Sequence, residues 1–594
     1  MFYKTSLFQP SRNCLSAIIS IFVPFLAFSV FAQTQLPEPQ KAPPPIPLEL
    51  NKPYNGQIDG TQKQRFQLAM EEGQFASFHA QSPNVKLGIM EINSDGAEVL
   101  LYGGFGMALD EKFVVVAEKS GTYQFEIFTP QKAHEGQYTF AMTELRAATV
   151  DEKGLQLALD LYTKGASLDL EGKFTEAEAF FDRALEIQKR IAGPDSYQVA
   201  KTLSYISSTH SNRGDYVTAI DLETKALKIQ EKIYSKDDPR IAQSNYEIGM
   251  MVINKGDTAN AERYFLESLD ILKRGNHVDS VVGYLDYLML GDVSYSLGDL
   301  QKANELLKQS LVVSEKLFGP DHYHLADVLL EIGRVELESG DASAAEAAAK
   351  RALANTEKQY GSEHWRDVFP LNDLGRIYST SGDLAKAEHV YERAFAINEK
   401  VLEAGGLHVN ETLAGLVRVY AAQGMMSKAL TYQTRVSENE ERLIGMNLVG
   451  GSEREKLAFL STLSPLISQN VSLHIQTAPD APAFRDLAMT TILRRKGRIQ
   501  DFLAYGNEAA LARLSPDDRN LAMQFNDVTA KLSSLVLHGP ENLSVGDYRK
   551  KVKELEDTRE QFESEISRRN IRTLPRSTSL TLDDVKKHIP DNAA

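Results

Sequence analysis

The rhythm of apolar and polar residues changes once along this chain, between Leu145 and about residue 155. Before that point apolar residues alternate with polar ones, as in Phe66-x-Leu68-x-Met70, Tyr123-x-Phe125-x-Ile127 and Tyr138-x-Phe140-x-Met142. A period of two puts every second side chain on one face, so these stretches predict half-buried strands. Turns are predicted at Glu72-Gly73, Asp95-Gly96, Ser120-Gly121 and Glu135-Gly136, and the unbroken run Phe113 to Ala117 predicts a strand buried on both faces. Several short strands with regular turns imply a small all-β sandwich over residues 49–146.

From about residue 155 the spacing becomes helical and repeats itself. A glycine recurs every 42 residues, at Gly172, Gly214, Gly256, Gly298, Gly340, Gly382 and Gly424. Five residues after each stands an alanine: Ala177, Ala219, Ala261, Ala303, Ala345, Ala387 and Ala429. Seven before each stands a small residue (Gly165, Ser207, Gly249, Gly291, Gly333, Gly375), with Val417 as the exception. Twelve after come Ala184, Ala226, Ser268, Ser310, Ala352, Ala394 and Val436. Self-similarity at such a step predicts a solenoid of helix–turn–helix units. The glycine supplies the positive φ that ends a helix. The small residues let two antiparallel helices approach, and Phe180, Phe181, Tyr264, Phe265, Leu306 and Leu307 fill the remaining space. One hairpin cannot bury its own apolar stripe, so units must stack. Seven units are expected over residues 155–440. Residues 447–594 read as helical without the repeat, with helices over Pro516–Leu537 and Asp547–Asn570.

The spacing small–x6–Gly–x4–Ala–x6–Ala is similar to the core signature of the tetratricopeptide repeat (TPR) family. It is fullest in LGDVSYSLGDLQKANELLKQSL (290–311) and LGRIYSTSGDLAKAEHVYERAF (374–395). The step of 42 exceeds that family's usual length of about 34 and resembles the long-helix subtype seen in kinesin light chains. This likeness implies an all-α superhelix whose first helices line a concave wall that binds protein or peptide. The phrases GQIDG…RFQLAMEEGQFASFHA, INSDGAEVLL, AEKSGTYQFEIF and EGQYTFAM resemble the pre-peptidase C-terminal type domain of secreted bacterial proteins. Members of that family are accessory or adhesive modules, some of which bind glycans or collagen. Residues 447–594 resemble the helical segment that precedes a caspase-like CHAT peptidase domain in many bacterial TPR proteins. In those relatives a phrase resembling DDVKKHIPDNAA (583–594) leads into the peptidase. The catalytic His and Cys of that family have no counterpart positions in this sequence.

Composition narrows the function. The 594 residues are 42% hydrophobic and 25% charged, as expected for a folded protein of several domains. A formal net charge of −16 argues against general binding to nucleic acid or anionic membranes. At the N-terminus Lys4 and Arg12 precede the apolar run Leu15 to Phe31, and Val30-Phe31-Ala32 offers small residues for cleavage. That is the pattern of a secretory signal over residues 1–32. Losing Lys4 and Arg12 with it would take the charge from −16 to −18. An uncleaved anchor is the alternative, since the run is just long enough to span a bilayer. Either places the body outside the cytoplasm. Residues 33–48 are proline-rich and read as an extended tether. The only cysteine, Cys14, lies in the signal-like segment, so a mature chain would have no disulfide, thiol nucleophile or cysteine metal ligand. An exported chain without disulfides fits a bacterial periplasm.

Candidate chemistry is sparse. No serine or histidine lies in a nucleophile-elbow or metalloprotease motif, so neither an enzyme nor a cofactor is expected. GGFG (103–106) has the look of a phosphate loop, but no helix follows it and it reads as a turn. His322-x-His324 beside Asp321 has the spacing of a metal pair. Two histidines are a weak signal, and no metal is expected. The basic cluster LRRKGR (493–498) reads as a solvated helix end or as a docking surface. The residue six before each ladder glycine should face the concave wall. From the second ladder glycine on, these residues are Ser208, Met250, Asp292, and then Arg334, Arg376 and Arg418, with Asn372 on the same face as Arg376. Stacked guanidiniums could grip a partner's carboxylates. Equally, Glu331 and Glu338 near Arg334, Asp373 near Arg376 and Glu411 near Arg418 could neutralise them within the chain. The expectation is an exported, non-catalytic scaffold whose concave groove binds an acidic protein or peptide. The alternatives are the regulatory part of a CHAT-type cysteine peptidase and an adhesive or glycan-binding protein acting through the β region.

Overall fold

The computed structural model describes residues 44–447 apart from 59–62, 83–86, 95, 97, 103–108, 130–135, 171–172, 213–214 and 402–406, together with 482–495, 516–538 and isolated positions between 471 and 565. The signal-like segment, most of the tether, the GGFG stretch, Gly172, Gly214, Lys496–Arg498, residues 583–594 and most of Asp547–Asn570 lie outside the described residues. The chain forms two compact units, one up to Gly340 and one from Asp341 onward.

The first unit opens with two sheets. Five strands run in the order β1 (Ile46–Pro47), β3 (Gln64–Met70), β8 (Gly121–Phe128), β5 (Gly88–Ile92) and β6 (Glu98–Tyr102). Four run in the order β2 (Tyr54–Ile58), β9 (Gly136–Ala147), β4 (Gln74–Ser82) and β7 (Leu109–Val116). The alternating residues face inward: Phe66, Leu68 and Met70, Tyr123, Phe125 and Ile127, and Tyr138, Phe140 and Met142 share one core. Across it Phe125 lies 4.5 Å from Phe78 and Phe66 lies 5.1 Å from Phe140, ring to ring, which joins the sheets face to face. One expectation is corrected. The Phe113–Ala117 run is not buried on both sides: Val115 and Ala117 face the core, while Val114 points the other way and is 53% exposed. Its neighbour Val116 is covered by the first helix, and its N–H donates to Gln156 Oε1.

Helices α1 (Val150–Leu170), α2 (Phe174–Ile191), α3 (Tyr197–Asn212), α4 (Tyr216–Ile233), α5 (Pro239–Asn254), α6 (Thr258–Arg274), α7 (Val281–Ser296), α8 (Leu300–Phe318) and α9 (Leu325–Glu338) complete the first unit. The second contains α10 (Ala342–Tyr360), a 3₁₀ turn (Trp365–Asp367), α11 (Val368–Thr380), α12 (Leu384–Val401), α13 (Leu407–Ala422) and α14 (Met426–Asn447). Two further helices, α15 (Pro482–Arg495) and α16 (Pro516–His538), follow.

The turns show why the ladder glycine is needed. Gly298 sits at φ 86°, and the next N–H, of Asp299, closes back on Ser294 O at 2.9 Å. Gly256, Gly340, Gly382 and Gly424 also have positive φ, where a Cβ would be strained. The aspartate after the glycine caps the following helix: Asp299 accepts from Lys302 N at 3.0 Å. Asp215, Asp257, Asp341 and Asp383 do the same for Thr218, Asn260, Ala344 and Lys386. Such a cap stabilises a helix by about 1 kcal/mol.

Inside a hairpin, the small residue before the turn faces a large one after it. A Cβ at Gly249 would stand 2.7 Å from Phe265, so alanine there would displace the ring. Gly165 faces Phe181, Gly291 faces Leu307 and Gly375 faces Tyr391 in the same way. Between successive hairpins runs a polar seam. Thr202 donates to Gln188 at 2.8 Å, Ser244 to Gln230 at 2.9 Å and Asn398 to Thr412 at 3.2 Å. Each pairs the same two positions of neighbouring repeats, and each satisfies groups that would otherwise be buried unpaired.

Candidate partner-binding face

The three arginines expected on the first-helix face have different surroundings. In the first unit Arg334, on α9, donates through Nη2 to Asp292 Oδ1 at 2.6 Å and to Glu331, and its guanidinium lies 4.0 Å over the ring of Tyr295. Its side chain is 19% exposed. Asp292 is the residue at the same place one repeat earlier, so Arg334 fastens successive first helices together. Glu331 was among its expected partners; Asp292 was not.

In the second unit Arg376, on α11, donates to Asp373 Oδ1 at 2.5 Å and is 30% exposed. Arg418, on α13, is exposed. Its contact is with the hydroxyl of Tyr391, and no ion pair to a carboxylate forms there among the described residues. Tyr391 comes from α12 and is 1% exposed. Its ring passes between Gly375 and Gly415, where a Cβ at either position would stand 2.4 Å away. Two glycines on neighbouring first helices thus open a slot through which a second-helix tyrosine supports Arg418. Glu411 completes the face. Desolvation and then Asp373 hold its carboxyl above the usual range, while Arg376 and Arg418 pull the other way.

Asn372 is not on an open wall. It is 3% exposed, and its Oδ1 accepts from Thr412 Oγ1 at 2.8 Å, which places it in the polar seam. Its position, ten before the turn glycine, points toward the next hairpin rather than toward solvent.

In the first unit two carboxyl groups, Glu223 on α4 and Glu247 on α5, lie in each other's field. Glu223 is buried, with its Oε1 2.7 Å from Ser244 Oγ and 3.1 Å from Ser204 Oγ, which donates to it. Burial pushes its carboxyl up, with the two serines opposing. Burial, and then Glu223, push Glu247 up to about 8. His322 and His324 stack with ring centroids 5.0 Å apart, and His322 Nδ1 accepts from His324 N at 3.3 Å. Among the described residues no group of three or more His, Asp or Glu side chains is placed to hold a metal. No described helix is long and apolar enough to cross a membrane.

Family models for the tetratricopeptide repeat match residues 157–232, 284–358 and 371–405. The helical body is therefore built of TPR-type repeats, a fold that typically mediates protein–protein interaction. No curated protein matches the chain. Among solved structures, BtubC (BKLC) from P. vanneervenii is 18% identical, over 42% of this chain and 92% of that one, with a TM-score of 0.33. The apo form of RapI is 16% identical, over 48% and 98%, at 0.39. PilF of Pseudomonas aeruginosa is 16% identical, over 45% and 99%, at 0.32.

Proposed function

We propose that the chain is an exported, non-catalytic scaffold that binds an acidic protein or peptide segment on the first-helix face of its later repeats. The observation that carries this reading is Arg418: an exposed guanidinium in contact with Tyr391, in the field of Glu411 but without a salt-bridge contact to a carboxylate among the described residues. A planar fork of donors held in place loses little side-chain freedom when it accepts a carboxylate. Arg376 is the second contact, reached if a partner carboxylate displaces Asp373. Arg334, tied to Asp292 and Glu331, serves the repeat stack rather than the partner. Export rests on the apolar run that follows Lys4 and Arg12. A mature chain lacking Cys14, and so any disulfide, and the likeness of the sequence to exported bacterial TPR proteins support a periplasmic setting.

The test uses a fluorescein-labelled decapeptide rich in glutamate, and its glutamine counterpart, read by anisotropy. The full chain should bind the acidic peptide more tightly than the neutral one. Arg418→Glu should weaken binding at least tenfold without lowering the melting temperature. Equal binding of both peptides, or unchanged affinity in Arg418→Glu, would overturn the assignment.

A further inference from the structure

Two successive repeats of the second unit place a tyrosine in the same setting. Tyr378, on α11, and Tyr420, on α13, each stand four residues before their ladder glycine. Each hydroxyl donates at 2.8 Å to a carboxylate of the preceding second helix, Glu346 for Tyr378 and Glu392 for Tyr420. Each ring has a lysine of the following helix over it, Lys386 Nζ at 5.3 Å and Lys428 Nζ at 4.5 Å.

The two repeats part eight residues after the glycine. There α14 carries Tyr432, whose ring stacks on Tyr420 at 5.5 Å and 12° and meets Phe395 edge to face at 5.8 Å. At the equivalent position α12 carries Val390, and Leu353 on α10 takes the place that Phe395 has on α12. Two rings give way to two aliphatic side chains that reach less far. Beside them Tyr378, Ala385, Lys386, His389 and Val390 line a cavity of about 360 Å³. Tyr378 and the half-buried Val390 form its floor; Ala385, Lys386 and His389 are exposed at its mouth.

We propose that this cavity receives an aromatic side chain of a partner protein, which stacks on Tyr378 as Tyr432 stacks on Tyr420. The neighbouring repeat shows what this setting holds when the chain fills it: a ring, lying flat on the tyrosine. Such stacking stabilises beyond the area it buries. The hydrogen bond to Glu346 already fixes the Tyr378 hydroxyl, so the floor needs little ordering when the site is filled. Lys386 need not leave, because Tyr420 holds a lysine and a ring together. The mouth selects a ring borne on a polypeptide. The Lys386 ammonium, 2.7 Å from Asp383, has further N–H donors, and the exposed His389 imidazole adds another, so both can meet the carbonyls that flank a side chain. The cavity shares no residue with the face of Arg376, Arg418 and Tyr391, so either assignment can fail without the other.

The probe is an acetylated, amidated glycine pentapeptide with 4-fluorophenylalanine at its centre, read by fluorine NMR line width against the full chain. Its line should broaden with wild type. Val390→Tyr rebuilds the filled arrangement, so it should weaken binding about tenfold and leave the melting temperature unchanged or higher. Ala385→Phe closes the mouth from an exposed position, should weaken binding likewise, and carries the test if Val390→Tyr misfolds. N-acetyl-4-fluorophenylalanine amide should bind more weakly than the pentapeptide. No broadening with wild type, or unchanged binding in whichever variant folds, would overturn the proposal. Equal affinity for the amide and the pentapeptide would overturn its assignment to a protein side chain in favour of small aromatic molecules.

Discussion

The tyrosine slot in the second unit allows two physical effects to be set against each other. Gly375→Ala lengthens nothing and adds no charge; it only puts a methyl on the α11 surface. Helix propensity alone makes that change stabilising, by about 1 kcal/mol. Packing predicts the reverse. The new Cβ would stand 2.4 Å from Tyr391 Cζ, and the ring has little room to retreat because it also packs directly on Gly415. Overpacking of this kind costs about 1–3 kcal/mol, and the closed slot puts this case toward the upper end. The expected net result is a loss of about 2 kcal/mol, once propensity is deducted. Urea unfolding followed by far-UV circular dichroism measures it, with Tyr391→Leu as the second arm of a double-mutant cycle. In the Tyr391→Leu background the added methyl has room, so Gly375→Ala should there be neutral or stabilising. A Gly375→Ala chain as stable as wild type, or a cycle with no coupling, would refute the argument that the glycine exists to admit the ring.

Two pH effects follow from other side chains. His210 lies between Asp215 at 3.1 Å and Glu178 at 3.4 Å, which push its imidazole up to about 9, Asp215 contributing most. The rise from 6.5 to about 9 corresponds to at most about 3 kcal/mol. Because the folded value is raised, that contribution is complete below about 6.5 and fades as pH climbs through 9. His210→Ala should therefore cost most near pH 6 and little near pH 10; a pH-independent cost would contradict the pairing. Asp286 is fully buried, with Oδ2 accepting from Ser268 Oγ at 2.6 Å and Oδ1 without a hydrogen-bond partner among the described residues. Burial pushes its carboxyl well up, so it destabilises the fold progressively as pH rises above about 4. Asp286→Asn should gain on wild type by up to about 1.4 kcal/mol per pH unit, and a flat difference between pH 5 and 8 would count against a protonated Asp286.

The repeats and the strand alternation were legible because their causes are local. A helix that turns back needs positive φ at one position, and two close helices need small residues at fixed steps. Phe66, Phe125 and Phe140 face inward because a pleated strand alternates its sides. The Gly-Asp dipeptides of the turns were equally open to reading, since an aspartate directly before a helix is a capping signal.

The site was legible only in outline. Helical periodicity placed Arg334, Arg376 and Arg418 at equivalent positions and left open whether each was neutralised within the chain. That choice depends on residues far away in sequence: Asp292 in the preceding repeat for Arg334, and Tyr391 threading past Gly375 and Gly415 for Arg418. Asn372 was placed on the wrong side because a helix face is continuous, and only the stacking of the next hairpin decides which part of it is covered. Val114 likewise lies in water because the first helix covers its face of β7 only at Val116, and what packs on a sheet's outer face leaves no mark in a run of valines. What the sequence alone determined was the unit, its turn and its buried face, because these depend on neighbours along the chain. Which of the three guanidiniums is paired within the chain was decided only by tertiary structure, because charges are neutralised by whatever stacking brings within reach.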